Sequence, residues 1–231
     1  MEPESPISKA RIISSSPHFH PKRVPTGVYD NGILCAECDN QFSPYENHAK
    51  DILTRPIDQR YVLRDPPNVG EAIGYNPPVG DYIQLKLFFL SILWRAAIST
   101  NQFYAHVRLG VHEKKLREML QANDVGTVDD FSVLLSKNTD PSDIMSRTIC
   151  DPVKKKIEGI RVYYFQLPDV IFRIKADKRP LPNKVREFAI CPERPFFCLL
   201  QDFNNSNERD NLLRIGKGLH NYYQLKEKKK S

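Results

Sequence analysis

The chain has 231 residues and a formal net charge of +6; 40% of its residues are hydrophobic and 27% are charged. That length and apolar content suit one medium domain, or a small N-terminal module joined to a larger body, and they exclude disorder outside the ends. The mild basic excess is compatible with nucleic-acid binding without requiring it.

Residues 1–17 hold Pro3, Pro6, Pro17 and three serines at 14–16, which predicts a flexible lead. The opening residues lack the basic start and apolar run of a signal peptide, so a reducing cytoplasmic setting is expected. Residues 18–55 read as a small ββα zinc-knuckle module. Asn31-Gly32 is a tight-turn signal, Ile33-Leu34 leads into Cys35 and Cys38, and Ser43-Pro44-Tyr45-Glu46 starts a helix that runs to about Leu53. Residues 56–80, with Pro56, Pro66, Pro67, Pro77 and Pro78, read as a connector.

Residues 81–150 read as helical. Asp81 caps a helix whose apolar positions Leu85, Phe88, Phe89, Ile92, Leu93 and Ala96 recur three and four apart. Gln84, Lys86, Ser91 and Arg95 interrupt that stretch, so it is expected to be a core helix and no membrane partner is expected. A second helix spans about 111–122, with Glu113–Arg117 and Lys114–Glu118 as opposite-charge pairs four apart. Thr127 to Asp130 is expected to cap a third short helix through Leu135. Residues 151–231 carry short β-branched and aromatic runs at 160–165, 170–174, 188–190 and 196–200, followed by a basic tail at 226–230. The expected class is α+β: an N-terminal ββα zinc module, a helical middle and a small antiparallel sheet at the C-terminus.

The strongest chemical signature is Cys35-Ala-Glu-Cys38. Two residues between thiols let both sulfurs face one ion from a tight knuckle, which supplies half of a tetrahedral zinc site. His18 and His20 upstream are the candidate remaining ligands, with His48 as a downstream alternative. The competing readings are two reduced thiols in a turn, or a redox pair. The redox reading needs a long helix that starts at the motif after a strand, and the sequence places the next helix start near Pro44, too late.

The stretch from Pro17-His18-Phe19-His20-Pro21-Lys22 to Leu34-Cys35-Ala36-Glu37-Cys38-Asp39 resembles the HNH endonuclease-like proteins of bacteria and phages. The likeness to one bacterial set extends through Phe42-Ser43-Pro44-Tyr45-Glu46, the segment from Leu87 to Arg95, and His112 to Arg117, so it covers about residues 17–122. It implies a ββα-metal nuclease site. His18 would be the general base for water attack on a DNA phosphodiester, with Asn31 or Asp30 holding the histidine or its loop. A divalent ion such as magnesium would sit at the phosphate and a structural zinc on Cys35 and Cys38. The chain departs from that pattern in lacking an upstream cysteine pair, in carrying Asp39 after the knuckle, and in having His20 where an apolar residue is usual. Two functions therefore stand open. One is an HNH-like nuclease or nuclease-derived, DNA-associated protein. The other is a non-catalytic zinc-stabilised module with a protein partner, in which His18 and His20 are zinc ligands.

Three other features attract attention. His112 has Leu116 where a zinc protease helix needs its second histidine, so it reads as a helix-start residue. Cys150, Cys191 and Cys198 read as small buried hydrophobes. The string from Arg161 to Phe165, with Arg173 and Lys175, could stack bases, although alternating aromatics in a strand more often pack a sheet.

Overall fold

The computed structural model describes residues 11–14, 22–23, 28, 30, 32–64, 73–75, 82–139, 148–192, 197–202 and 210. His18, His20, Asn31, Asp81 and the basic tail lie outside the described residues. In chain order the elements are β1 (Arg11–Ile13), β2 (Lys22–Arg23), α1 (Ala36–Asn40), α2 (Ser43–Leu53), β3 (Val62–Arg64) and β4 (Ile73–Tyr75). They continue with α3 (Tyr82–Ile98), α4 (His112–Gln121), β5 (Val133–Thr139), β6 (Thr148–Ile157), β7 (Ile160–Leu167), β8 (Val170–Lys175), α5 (Asn183–Arg186) and β9 (Cys198–Asp202). The fold is mixed α/β.

Among the described residues, all the strands belong to one nine-stranded sheet in the order β2-β1-β6-β7-β8-β5-β9-β4-β3. This sheet is larger than the small C-terminal one expected from sequence, and it is not purely antiparallel. β1 pairs parallel with β6, and β5 pairs parallel with β9. Its outer strands come from residues 11–75, including β1 inside the expected lead and β3–β4 inside the expected connector. Three-residue strands carry too little periodicity to stand out between prolines.

Turn chemistry sets the central meander. Glu158 (φ 47) and Gly159 (φ 82) make the two-residue link between β6 and β7, with both residues left-handed as a type I′ turn requires. Pro168 and Asp169 (φ 60) link β7 to β8, with proline at the position that wants its fixed φ. Pro152 lies inside β6, where the ladder shifts register between Cys150 and Val153, so a bulge absorbs the missing donor.

The helix α3 packs on one face of this sheet. Phe89 lies 4.7 Å from Phe172, which stacks on Phe165 at 5.0 Å. Leu85, Leu87, Leu90, Leu93 and Ala96 are also buried, so α3 is apolar nearly all round, as befits a helix between a sheet and two flanking helices. α4 buries Leu116, Met119 and Leu120, spaced as one helical face. Its outer side carries the anticipated Lys114–Glu118 and Glu113–Arg117 pairs at 3.8 and 4.0 Å. On the opposite sheet face, Leu134 and Ile160 cluster with Leu181 and Ala189, against Val185 and Phe188.

The expected third helix at 127–135 is instead a turn followed by β5. The Asp130 carboxylate accepts from the Thr127 backbone N–H (3.0 Å) and hydroxyl (2.8 Å), closing a loop. Phe131 then takes a left-handed φ of 46, and Val133 enters the sheet between β8 and β9. A capping pattern and a closed turn use the same residue types, so pairing partners distant in sequence decide the outcome. Residues 188–190 form only an isolated bridge, Ala189 to Leu134, and not a strand.

Candidate functional site

The knuckle is built from the backbone outward. Gly32 has φ 92, a conformation that favours glycine, and turns the chain into Ile33-Leu34. Cys35, in extended conformation, caps α1; its Sγ accepts the Cys38 N–H at 3.4 Å, and its carbonyl accepts the Asp39 N–H at 2.9 Å. Both cysteines are exposed. Hydrogen bonds from the N–H and thiol of Cys38 lower the pKa of the Cys35 thiol, while the Cys35 group and the Glu37 charge raise that of Cys38. A helix therefore does begin at the motif, although α1 is only five residues long and α2 follows from Ser43. The α2 cap differs from expectation by one place: Phe42 occupies it, with no side-chain cap bond, and Ser43 is the first residue of the helix.

The knuckle flanks a pocket of about 230 Å³ between residues 28–39, α3 and Tyr104. Ile33, Leu34, Ile92 and Ala96 give it apolar walls, and Asp30, Asp39, Arg95 and Tyr104 bring polar groups. Asp30 is committed to structure. Its carboxylate accepts from the Ser99 hydroxyl and from the N–H groups of Thr100 (3.0 Å) and Asn101 (3.3 Å). The Ser99 bond chiefly holds its pKa below the usual carboxylate range. Asp30 thus fastens the segment before the knuckle to the end of α3. Arg95 donates to Glu46 of α2 at 2.7 Å and to Ser91 at 3.3 Å, with its guanidinium 5.3 Å from the Phe42 ring centre. Burial pushes the Tyr104 phenol up to about 12, and its hydroxyl donates to the Val28 carbonyl at 3.4 Å.

A tetrahedral zinc site needs four ligands, and the described part of the knuckle presents two adjacent thiols that fit half of one. Among the described residues no three His, Cys, Asp or Glu side chains converge as a metal group. The predicted partners His18 and His20, and the predicted catalytic residue Asn31, fall outside the described residues, and half-buried His48 on α2 joins no such group.

The remaining candidates settle into the fold. His112 begins α4, its ring edge-on to Phe131 at 6.4 Å, and burial lowers its pKa. Burial raises the Cys150 and Cys198 thiols to about 12, and Cys191 is buried too. In the aromatic string, Tyr163 is fully buried and donates to the Arg108 carbonyl. Tyr164, on the opposite face, has Lys155 at 4.6 Å and Arg173 at 4.9 Å from its ring centre. The Asp30–Ser99 link and the pocket it shapes were not anticipated, since nothing in the sequence connects residues seventy apart.

No helix among the described residues is long and apolar enough to cross a membrane. Compared with known protein families, curated proteins and solved structures, the chain matches none.

Proposed function

We propose that this chain is an HNH-like metal-dependent nuclease, or a nuclease-derived DNA-associated protein, with zinc on Cys35 and Cys38 and His18 as general base. The observation that supports it best is the paired, exposed thiols at the start of α1, beside a pocket to which Asp30, Asp39 and Arg95 bring polar groups, and followed directly by α2. In this reading the zinc is structural, and its bonds to Cys35 and Cys38 hold the knuckle against α2. His18, with Asn31 nearby in sequence, would act on a water at the phosphate, and a second divalent ion such as magnesium would supply charge stabilisation there.

One observation favours the second reading, a non-catalytic zinc-stabilised interaction module. The Asp30 carboxylate is engaged through Oδ2 by Ser99, Thr100 and Asn101, a structural role that leaves only Oδ1 to meet a histidine.

Elemental analysis of the purified chain should approach one zinc per chain, and a metal-free protein would sink the zinc assignment under both readings. With magnesium added, the wild type should nick supercoiled plasmid DNA, and His18→Ala should lose that activity at an unchanged melting temperature. Zinc retained without any nicking would select the non-catalytic module.

A further inference from the structure

We propose that Cys35 and Cys38 form a redox-active dithiol, a reversible modification site that hydrogen peroxide closes into an intramolecular disulfide. The sequence argued against a redox pair because a long helix was expected to start only near Pro44, not at the motif. In the structure a short helix starts at Ala36 with Cys35 as its cap; α1 spans only five residues, and it is the closeness of the two cysteines that carries the chemistry. The Cys35 sulfur already sits 3.4 Å from the Cys38 backbone nitrogen. The Cys38 sulfur lies three bonds from that nitrogen, so side-chain rotation alone can bring the two sulfurs to bonding distance of about 2.05 Å. α1 contains no buried residue, so small backbone adjustments there leave the core untouched. Of the five cysteines, only these two are exposed.

The chemistry balances with peroxide as the two-electron oxidant. The Cys35 thiolate attacks one peroxide oxygen; an S–O bond forms, the O–O bond breaks and hydroxide leaves. Cys38, giving its proton to that hydroxide, attacks the Cys35 sulfur; the S–S bond forms, the S–O bond breaks and a second hydroxide leaves and is protonated. The dithiol loses two electrons and two protons, and peroxide becomes two waters. The proposal does not depend on the zinc reading: zinc on the same thiols would block both steps, so metal and oxidant compete for one pair.

The test uses the full chain, stripped with chelator and treated with stoichiometric peroxide, then alkylated and mapped by mass spectrometry. The expected result is a loss of two mass units, with Cys35 and Cys38 protected from alkylation, reversed by dithiothreitol. It should form at least tenfold faster in the folded chain than in urea. Cys38→Ser should instead accumulate a sulfenic acid at Cys35 that dimedone traps. Preloading with zinc should slow closure at least tenfold. Disulfide formation that ignores zinc supports the dithiol and overturns the zinc reading. Thiols that remain fully alkylatable, or close no faster folded than unfolded, overturn the dithiol.

Discussion

Lys86 stands on the buried side of α3, fully enclosed, with its Nζ donating to the Thr127 carbonyl at 2.8 Å and 5.9 Å from the Tyr82 ring centre. Burial lowers its pKa to about 8. The sign of the consequence is fixed. Between about pH 8 and the ordinary lysine value near 10.4, the unfolded chain keeps a proton that the folded chain has released, so stability rises with pH across that window. The expected gain is on the order of 3 kcal/mol, and Lys86→Met should flatten it. Denaturant titrations of both proteins at pH 7.5 and 10 check this, and parallel pH profiles would show that Lys86 is not the source. At the knuckle, the zinc reading predicts that Cys35→Ser loses the metal and lowers the melting temperature. An unchanged melting curve would mark the pair as free of structural zinc. The thiol spacing was legible in the sequence because it is local. The burial of Lys86 was not, because it appeared there only as a charge interrupting an apolar run.

Between elements, the turn before β5 carries the tightest constraint. Gly126 has φ 60, and a Cβ there would meet the Asp130 Cβ at 2.8 Å and the Met119 Cε at 3.0 Å. Gly126→Ala should therefore cost about 2–4 kcal/mol, combining left-handed strain with overpacking. Gly159→Ala, where a Cβ would meet nothing within 4 Å, should cost only the backbone part, about 1–2 kcal/mol. Chemical denaturation of the two variants separates these contributions, and equal losses would refute the steric account. Lys137 of β5 ties the sheet to α2 by donating to the Leu53 carbonyl at 3.1 Å and to the Arg55 carbonyl at the helix C-terminus. The long periodic helices α2, α3 and α4 were readable because their apolar spacing exceeds any turn. β5 was misread because Thr127 to Asp130 serves a helix cap and a closed turn equally well. β3, β4 and β1 were invisible because three residues hold no period.

At the scale of the molecule, one sheet running from residue 11 to residue 202 argues against separable halves. Ile12 in β1 is fully buried and clusters with Phe103 and Ile149, so the N-terminal strand shares a core with the middle of the chain. Ile12→Ala should lower stability by about 2–4 kcal/mol and shift a single transition. Two resolved transitions in calorimetry would show instead that the N-terminal part melts separately. Local patterns indicated a mixed class of helices and strands, but strand order is set by pairings across more than a hundred residues. β9 makes that point most sharply, because it lies between β5 and β4 and is the last strand among the described residues. During synthesis the β3–β4 hairpin emerges early and waits for residues 198–202 before it has anything to join. The sheet therefore closes only after residues 198–202 have left the ribosome, and until then β4 presents an unpaired edge that a chaperone, or another nascent chain, can occupy.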